Sequence, residues 1–539
     1  MNNRFFFFSK YLVLILVIGL FTNTRNGLAQ SYDSRQTVQK FATAMQIIRF
    51  AYVDSVNEAK LTETAITEML KELDPHSVYI SKEELREANE PLEGKFDGIG
   101  VQFQVFKDTI LVVAAISGGP SEKVGIMAGD KIVKINGENA FGKKVNTKYV
   151  MDRLRGKKGT KVVVSIFRKG IKGLTSYTIT RDKIPLNSID ATYMATSDIG
   201  YIKLDRFSQT SMDEFTLSLN TLKKAGMKSL ILDLRNNTGG YMNIAIELAD
   251  EFLEKGKLEV YTEGLKSPRQ DFYSTQKGGF EKGKLIVMIN EGSASASEIV
   301  AGAVQDWDRG LVIGRRSFGK GLVQHPFQLP DSTQIRLTTG RYHTPSGRCI
   351  QRPYEESLED YYLDLYKRYK HGELVNADSI KFPDSLKYST NNGRTVYGGG
   401  GIMPDIFIPW DSSFITKYYS EIFRKGIINQ FVMQYIEDHR TDLKAAYPDL
   451  NNFSVNFVTD ENFLKQFTDY AEKEGVKKLD SDFVISEKYI SLVIKGLIAR
   501  SLFDVGSYYQ IVSPLDNELQ KAILIIIDDN AFKKLKNKG

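Results

Sequence analysis

Residues 290–324, NEGSASASEIVAGAVQDWDRGLVIGRRSFGKGLVQ, decide the fold of this chain. The apolar run just before this stretch (Leu285–Ile289) predicts a buried strand, and residues 295–305 predict a helix that starts after a turn of small residues. A second strand (Leu311–Gly314) and the glycine-flanked Lys320 follow. A buried strand, a turn and a helix in this order indicate an α/β core.

Three serines alternate with alanines at the turn: Ser293, Ser295 and Ser297. A hydroxyl at this place can face a substrate while the free N–H groups of the first helical turn point at the same spot. A serine becomes a nucleophile only when a base takes its proton, and a lysine is a base only when it is neutral. Burial disfavours the ammonium form, and Lys320 lies between two glycines and after Phe318, which suits a neutral amine. The first-turn position favours Ser295, since Ser293 is still in the turn and Ser297 is one step deeper.

The chain before this stretch alternates strands and helices after Pro185. The pattern predicts a strand over residues 200–207, a helix over 212–225, a buried strand and polar glycine turn in KSLILDLRNNTGG (residues 228–240), and a helix over 243–253. This rhythm predicts an α/β core whose functional groups lie at the carboxyl ends of strands.

Residues 96–184 form a run of short β-branched strands separated by glycines, and the portion PSEKVGIMAGDKIVKING closely resembles a PDZ domain. A PDZ domain adds an extended peptide to a sheet edge and holds its terminal carboxylate with backbone amides of a loop. The resemblance implies that this loop is Gly98, Ile99, Gly100 and Val101 and that the ligand is a polypeptide C-terminus. The alternative is that these glycines only turn a strand.

The first 29 residues have a basic start, an apolar run over residues 11–21 and a small-residue exit at Gly27-Leu28-Ala29. This pattern is typical of a secretory signal peptide, because the apolar run is short for a membrane span. A retained N-terminal anchor is the alternative. We therefore expect a periplasmic mature protein that does not span the membrane.

Apolar residues recur at helical spacing in the next segment, beginning with Phe41, Met45, Ile48 and Tyr52, and predict a small helical module. The module closes at LDPHSVYI, where we expect His76 to fix a turn, with catalysis as the alternative.

Two further segments follow the core. The charged, tyrosine-rich residues 352–397 predict an insertion on the surface of the core. Residues 410–539 are mostly helical by pattern and contain no catalytic constellation, so we expect a structural or partner-binding role for them.

Charge and cysteine content exclude several classes of protein. Three of the 72 basic residues (Arg4, Lys10 and Arg25) lie in the leader, so the rest of the chain carries 69 basic and 66 acidic groups. This balance gives little support to nucleic-acid binding. The single cysteine, Cys349, excludes an intrachain disulfide framework and a thiol metal cluster.

Five motifs together resemble those of the carboxyl-terminal processing peptidases, tail-specific serine proteases with a Ser-Lys dyad. The motifs are DLRNNTGG, EGSASASEIVAGAVQD, SFGKGLVQ, YHTPSGRCIQ and GGGIMPD, and the resemblance spans roughly residues 35–409. It implies that the middle serine of SASAS, Ser295, is the nucleophile and that Lys320, 25 positions later, is the base. It implies further that Gln324 orients the lysine and that the oxyanion hole uses the N–H of Ala296 and of a glycine in the Gly239-Gly240 turn. No cofactor is expected.

The resemblance also implies the architecture, a multidomain α+β protein with an α/β ClpP/crotonase-like protease core and an inserted PDZ domain. We expect a signal peptide (1–29), an N-terminal helical module (30–92), the PDZ domain (93–184), the protease core (185–409) and a C-terminal helical extension (410–539). The expected partners are protein or peptide substrates with free C-terminal tails, and a homo-oligomer or an adaptor protein is possible.

Other functions compete with this interpretation. A Ser-His-Asp triad would use His325 or His343, but His325 would point to the opposite face of the strand that carries Gln324. A metalloprotease lacks its H-E-x-x-H spacing. A periplasmic PDZ scaffold that has lost catalysis, or a retinoid-binding or other non-proteolytic relative of the core fold, would not need Ser295 and Lys320 together.

Overall fold

The computed structural model describes residues 34–106, 108–116, 118–275, 278–354 and 358–536. The signal peptide expected over residues 1–29 lies outside the described residues. The chain divides into two compact units, Met1–Glu72 and Leu73–Gly539. Within the described ranges, no helix combines the length and apolarity that crossing a membrane requires.

The described residues of the first unit form the helices α1 (Ser34–Ala51) and α2 (Glu58–Lys71). The Asn57 side chain caps α2 by accepting from the N–H of Lys60 at 3.1 Å. The predicted helical module is therefore confirmed. Its apolar face stays open, however, because α1 buries none of its residues, Phe41 and Ile48 included.

The second unit opens with a short strand and a helix, β1 (Val78–Ile80) and α3 (Lys82–Glu93). Ser81 and Glu84 form a capping box at the start of α3, which fixes where the helix begins. The helix leads directly into the first strand of the PDZ domain.

The PDZ domain is a twisted antiparallel sheet with two short helices. Its elements are β2 (Lys95–Gly98), β3 (Val101–Phe106), β4 (Thr109–Ala115), α4 (Pro120–Lys123), β5 (Lys131–Ile135), β6 (Glu138–Asn139), α5 (Thr147–Leu154), β7 (Lys161–Phe167), β8 (Thr175–Thr180) and β9 (Asp182–Pro185). The strand order is β3-β4-β5-β7-β8, so β3 is an edge strand, and β2 pairs with β9 to join the domain to the rest. Alternating apolar residues such as Val162, Val164 and Ile166 form its core.

The predicted α/β core is built on a six-stranded sheet of order β10-β11-β12-β15-β16-β21, parallel apart from β10. Its elements are β10 (Ile189–Met194), β11 (Ile199–Leu204), α6 (Ser211–Lys224), β12 (Ser229–Asp233), α7 (Met242–Asp250), β15 (Leu285–Ile289), α8 (Ala296–Asp306), β16 (Leu311–Gly314) and β21 (Ile406–Phe407). Every residue of β11, β12, β15 and β16 is buried, as expected for parallel strands covered on both faces. The predicted α/β core is confirmed.

A second sheet lies beside the first and carries the lysine segment. It contains β13 (Leu258–Gly264), β14 (Ser267–Tyr273), β17 (Leu322–Gln328) and β18 (Gln334–His343), and β18 also pairs with β1. Lys320 lies two residues before β17, so the sheet positions the segment that carries this side chain.

The charged sequence of residues 352–397 predicts an insertion on the surface, but part of this segment is buried. Its elements are α9 (Leu358–Tyr362), α10 (Asp364–Lys370), two 3-10 turns (Ala377–Ser379 and Asp384–Leu386), β19 (Lys387–Ser389) and β20 (Thr395–Tyr397). Many of its side chains are exposed, but Tyr361 and Arg368 are buried at 3% exposure each. The Arg368 guanidinium donates to the backbone oxygens of Ser317 and Phe318, which explains its burial.

The C-terminal region is helical, as predicted, and it splits into two parts. Its helices are α11 (Lys417–Arg424), α12 (Ile427–Ala446), α13 (Leu450–Asn456), α14 (Glu461–Lys473), α15 (Asp480–Leu502), α16 (Val505–Val512), α17 (Asn517–Asp528) and α18 (Asn530–Lys536). Helices α11–α16 enclose an apolar core of their own. In contrast, Leu519, Ile526 and Phe532 from the last two helices pack on Ile231 and Met288 of the core sheet. The parallel sheet thus obtains the cover of its second face from the chain's last residues.

Candidate active site

The turn between β15 and α8 holds Ser295 in an uncommon backbone conformation. Its φ is +56° and its ψ is −114°, a region that residues other than glycine rarely adopt. Two neighbours maintain it: Glu298 Oε2 accepts from the Ser295 N–H at 2.8 Å, and the Tyr342 hydroxyl donates to the Ser295 carbonyl at 3.1 Å. In this conformation Ser295 lines an open cleft.

The three serines of the turn differ in what their hydroxyls contact. Ser293 is fully buried and its Oγ donates to the Leu234 carbonyl at 2.7 Å, and the buried Ser297 Oγ donates to the Asn237 carbonyl at 2.8 Å. The Ser295 hydroxyl donates to no acceptor among the residues that the structure describes, and its oxygen takes the capping contact from the N–H of Glu298. Ser295 lines an open cleft. Among the described residues, one serine hydroxyl therefore lacks an acceptor for its proton, the one favoured by the sequence.

Lys320 lies in the same cleft and is held by Gln324. Its Nζ donates to Gln324 Oε1 at 3.2 Å, and Gln324 Nε2 in turn donates to the carbonyl of His76. Burial lowers the pKa of the Lys320 ammonium, nearby Arg336 lowers it further, and the carboxylates of Glu298 and Asp74 oppose the shift. In the described part of the chain no hydrogen bond joins Lys320 Nζ to Ser295 Oγ.

A buried carboxylate, Glu298, ties the serine turn to the lysine segment. Its Oε1 accepts from the Ser317 hydroxyl at 2.5 Å and the Gly319 N–H at 2.7 Å, and its Oε2 accepts from the N–H groups of Lys320 and Ser295 at 2.9 and 2.8 Å. Burial raises the pKa of Glu298, and the hydrogen bonds from these four donors lower it. Sequence analysis missed this residue, although its position three residues after Ser295 is the spacing of a capping box.

Two N–H groups near Ser295 are free to bind an oxyanion. Neither the Gly240 N–H nor the Ala296 N–H has an acceptor among the described residues, whereas the Gly239 N–H donates to Asn237 Oδ1 at 2.9 Å. Gly239 has φ +101°, and a Cβ there would lie 2.8 Å from Ser295 Cβ and 3.0 Å from the Ala296 nitrogen. The turn after β12 therefore approaches Ser295 so closely that only glycine fits.

Two segments that are distant from Gln324 in the sequence, around His76 and around Tyr361, lie next to its side chain. The His76 ring Nε2 lies 2.7 Å from the Tyr361 hydroxyl, and the Asp74 carboxylate accepts from the N–H of His76 at 2.8 Å. Burial first and then the charge of Lys320 lower the pKa of His76 to about 4, so this ring is neutral at ordinary pH. Asp74 holds this turn by accepting from the N–H of His76, and the His76 carbonyl positions the amide that holds Lys320.

The histidines of a possible triad lie elsewhere. The exposed His325 contacts Thr339 Oγ1 at 2.7 Å, and His343 Nδ1 lies 3.2 Å from the Gly347 carbonyl. Neither lines the cleft of Ser295. Among the residues with described positions, no three His, Cys, Asp or Glu side chains come together as metal ligands.

The cleft has a volume of about 720 Å³ and brings together most of the predicted catalytic residues. Ser295, Lys320, Gln324, Gly239 and Gly240 all line it. The serine turn follows β15 and the glycine turn follows β12, and these two strands are adjacent and parallel. The functional groups therefore do lie at the carboxyl ends of strands.

The predicted peptide-binding loop lies at another cavity. Gly98 ends β2, Gly100 has φ +73°, and Val101 begins the edge strand β3. Gly98, Ile99, Gly100 and Val101 line a cavity of about 980 Å³ that does not contain Ser295 or Lys320. The two predicted sites are thus separate.

Four segments of the chain match known families. Peptidase family S41 matches residues 198–356, and the PDZ domain family matches residues 98–176. The N-terminal domain of the activating protease CtpB matches residues 21–84. Residues 418–504 match a family of unknown function, DUF8443.

Several curated proteins are similar over most of their length. The carboxy-terminal-processing protease of Bartonella bacilliformis is 36% identical over 352 residues, which is 64% of this chain and 79% of that protein. The carboxy-terminal processing protease CtpA of Bacillus subtilis is 35% identical over 355 residues, covering 64% and 75%. Among solved structures, the photosystem II D1 C-terminal processing protease matches with 25% identity and a TM-score of 0.35, covering 68% of this chain and 92% of that one.

Proposed function

Since this chain belongs to the carboxy-terminal processing proteases of peptidase family S41, we propose that it hydrolyses peptide bonds with a dyad of Ser295 and Lys320. The observation that carries the proposal is the state of the three serine hydroxyls. Of the three, Ser295 is the one whose hydroxyl proton has no acceptor among the described residues, and it lines the same cleft as an amine whose pKa is lowered by burial.

The reaction begins when Ser295 Oγ attacks the carbonyl carbon of the scissile bond and its proton passes to the neutral Lys320 Nζ. For this step Nζ turns from Gln324 towards Ser295, since hydrogen bonds of a free active site often tighten only with substrate present. The negative oxygen of the tetrahedral intermediate accepts from the N–H groups of Gly240 and Ala296.

Collapse of the intermediate breaks the C–N bond, and Lys320 returns its proton to the departing amine. Water then attacks the acyl-enzyme with Lys320 again as the base, and the carboxylic acid leaves as Ser295 regains its proton. Gln324 is a suitable partner for this lysine because an amide oxygen accepts from the ammonium without adding the negative charge that would raise its pKa.

We propose that the substrates are polypeptides whose free C-terminal tails bind the PDZ domain, and that the enzyme acts in the periplasm after secretion. The edge strand β3 and the loop of Gly98 to Val101 support tail binding, and the leader composition supports secretion. If amidation of a substrate's C-terminus leaves its degradation rate unchanged, the tail is read elsewhere. Finding the native protein only in the cytoplasmic fraction would contradict the proposed location.

The dyad is tested by substitution of each member. We expect Ser295→Ala and Lys320→Ala each to abolish cleavage of an unfolded protein substrate, and circular dichroism and thermal unfolding to show an intact fold. A fluorophosphonate probe should label the wild type and not Ser295→Ala. Full activity in either variant would contradict the dyad, whereas a wild type that neither cleaves nor reacts with the probe would favour a PDZ scaffold.

A further inference from the structure

The cavity at the PDZ loop has one wall from the PDZ domain itself. This wall consists of the edge strand β3 and the facing helix α5, which contributes Thr147, Met151 and Leu154. Within the described sheet β3 pairs only with β4, so its other edge is open to a further strand. An extended peptide fits such an edge through main-chain hydrogen bonds.

The opposite wall comes from the helical region of unassigned role. Val432 and Met433 of α12 and Leu497 of α15 present apolar side chains to the cavity, and Arg500 follows one turn later on α15. A chain laid along β3 would therefore touch both walls, because one cavity is continuous between them.

Ion pairs connect the two walls. Lys131 Nζ of the PDZ sheet lies 2.9 Å from Glu437 Oε1 of α12, and Lys169 Nζ lies 2.7 Å from Asp438 Oδ1. The first pair is the better shielded, with side-chain exposures of 28% and 15%. Below them, Leu111 and Val113 of β4 and Met433 of α12 enclose a smaller void of about 70 Å³.

Three charged residues line the main cavity, and they differ in their partners. Arg155 is paired with Glu90, and the Asp190 carboxylate accepts from the Tyr509 hydroxyl at 3.1 Å. Arg500 has no ion-pair or hydrogen-bond partner among the described residues. The free charge of this cavity is thus a guanidinium, whose geometry matches a carboxylate.

We propose that helices α12 and α15 complete the peptide-binding groove of the PDZ domain, and that Arg500 binds a carboxylate of the bound tail while Met433 and Leu497 contact its apolar side chains. The proposal rests on the proposed function, because it takes the occupant to be a substrate tail. It gives the helical region over residues 417–512 a role in selecting apolar tails that carry a carboxylate. That carboxylate belongs either to the chain terminus or to an acidic side chain upstream.

The test is a binding titration on the full-length Ser295→Ala protein, which does not depend on cleavage. The probe is a fluorescein-labelled peptide with an apolar free C-terminus and one upstream Asp, followed by fluorescence anisotropy. We expect Arg500→Glu to raise the Kd about fivefold or more and Arg500→Gln to raise it less. Met433→Asp should also raise the Kd, because it places a charge on the apolar wall.

Lys488→Glu is the matched control, since Lys488 is an exposed residue of the same helix that does not line the cavity and undergoes the same charge reversal. It should leave the Kd unchanged. Two further peptides identify the carboxylate that is read. If Arg500 binds the chain terminus, the effect of Arg500→Glu disappears with the amidated peptide; if it binds the side chain, the effect disappears when the upstream Asp is replaced by Asn.

The proposal would be overturned if Arg500→Glu still raised the Kd with both altered peptides. It would also be overturned if neither the Arg500 substitutions nor Met433→Asp changed the Kd. Either outcome can be told apart from a failure of the proposed protease function. If the chain were not a protease, the wild type would fail to cleave or to react with the serine probe, while peptide binding to the Ser295→Ala protein would still report on the groove.

Discussion

The two cavities of the second unit are built in opposite ways. In the catalytic cleft hydrogen bonds fix the segments that carry Ser295 and Lys320: Glu298 by itself accepts from four donors, and the strained backbone of Ser295 is held from both sides. In the PDZ groove an open strand edge faces a wall of apolar side chains and the exposed Arg500, whose guanidinium has no partner among the residues with described positions. The first site is preorganised and the second is adaptable.

The difference reflects what each site has to do. Catalysis requires groups that already point to where charge develops, so the protein maintains strain and buried polar groups at Ser295 and Glu298. Recognition of many tails requires only an edge that accepts any backbone and walls that tolerate many side chains. Single substitutions should therefore have large effects in the cleft and small ones in the groove.

The largest effect beyond loss of the dyad is expected for Gly239→Ala. The new Cβ would meet Ser295 Cβ at 2.8 Å and the Ala296 nitrogen at 3.0 Å, so it would displace the nucleophile and an oxyanion donor together. We expect kcat/KM to fall about a hundredfold or more. Gly256→Ala is the matched control, because Gly256 has φ +84° but no atom within 4 Å of its Cβ position. Equal losses in both variants would mean that backbone strain, and not the approach to Ser295, is responsible.

A smaller loss is expected for Tyr361→Phe, which removes the hydroxyl 2.7 Å from the His76 ring. Because His76 acts on Lys320 only through Gln324, we expect kcat to fall about fivefold with little change in KM. Tyr366→Phe, an exposed residue of the same insertion, should change neither constant. If Tyr361→Phe changed KM and left kcat unchanged, the result would place this residue in substrate binding instead.

The pH profile tests the electrostatics of the cleft. In the proposed mechanism Lys320 acts as the neutral amine, so activity should fall as the pH falls through its pKa. Arg336 lowers that pKa, so Arg336→Gln should raise it and move the acidic limb of the kcat profile to higher pH. Arg341→Gln removes the same charge from an exposed position on the same strand and should leave the limb in place. A shift to lower pH in the Arg336 variant would contradict the assignment of this limb to Lys320.

The smallest effect is expected in the contact between the groove's two walls. Lys169 and Asp438 are both solvent-exposed, and exposed pairs contribute little to stability. Lys169→Ala should therefore leave the melting temperature and the affinity for the probe peptide nearly unchanged. A large loss of affinity would show that the groove is as rigid as the cleft, and that the two cavities do not differ in preorganisation.

Much of the fold was predictable because it follows local rules. The strand Leu285–Ile289 is an apolar run, the helix after it begins one residue from its expected start, and glycines punctuate the PDZ strands. The candidate residues Ser295, Lys320 and Gln324 were also identified from motifs, and the structure places them in one cleft. Their chemical roles remain predictions until the variants are measured.

Other features were not predictable from local pattern. The insertion's tyrosines and charges indicate a surface segment, yet Tyr361 packs behind the lysine because the pairing of β1 with β18 brings the His76 turn to the same place. The chain's last helices show the same limit: their apolar stripe predicts a helix, but not that Leu519 covers the core sheet.

By itself the sequence determined which residues can do chemistry and which segments are strands or helices, since these properties depend on side-chain type and on spacing along the chain. Only the tertiary structure decided which serine hydroxyl is left free, that Glu298 joins the serine turn to the lysine, and that Arg500 lines the PDZ groove. The physical reason is that hydrogen-bond satisfaction and burial depend on residues far apart in the chain. They are settled only when the sheets and helices pack against one another.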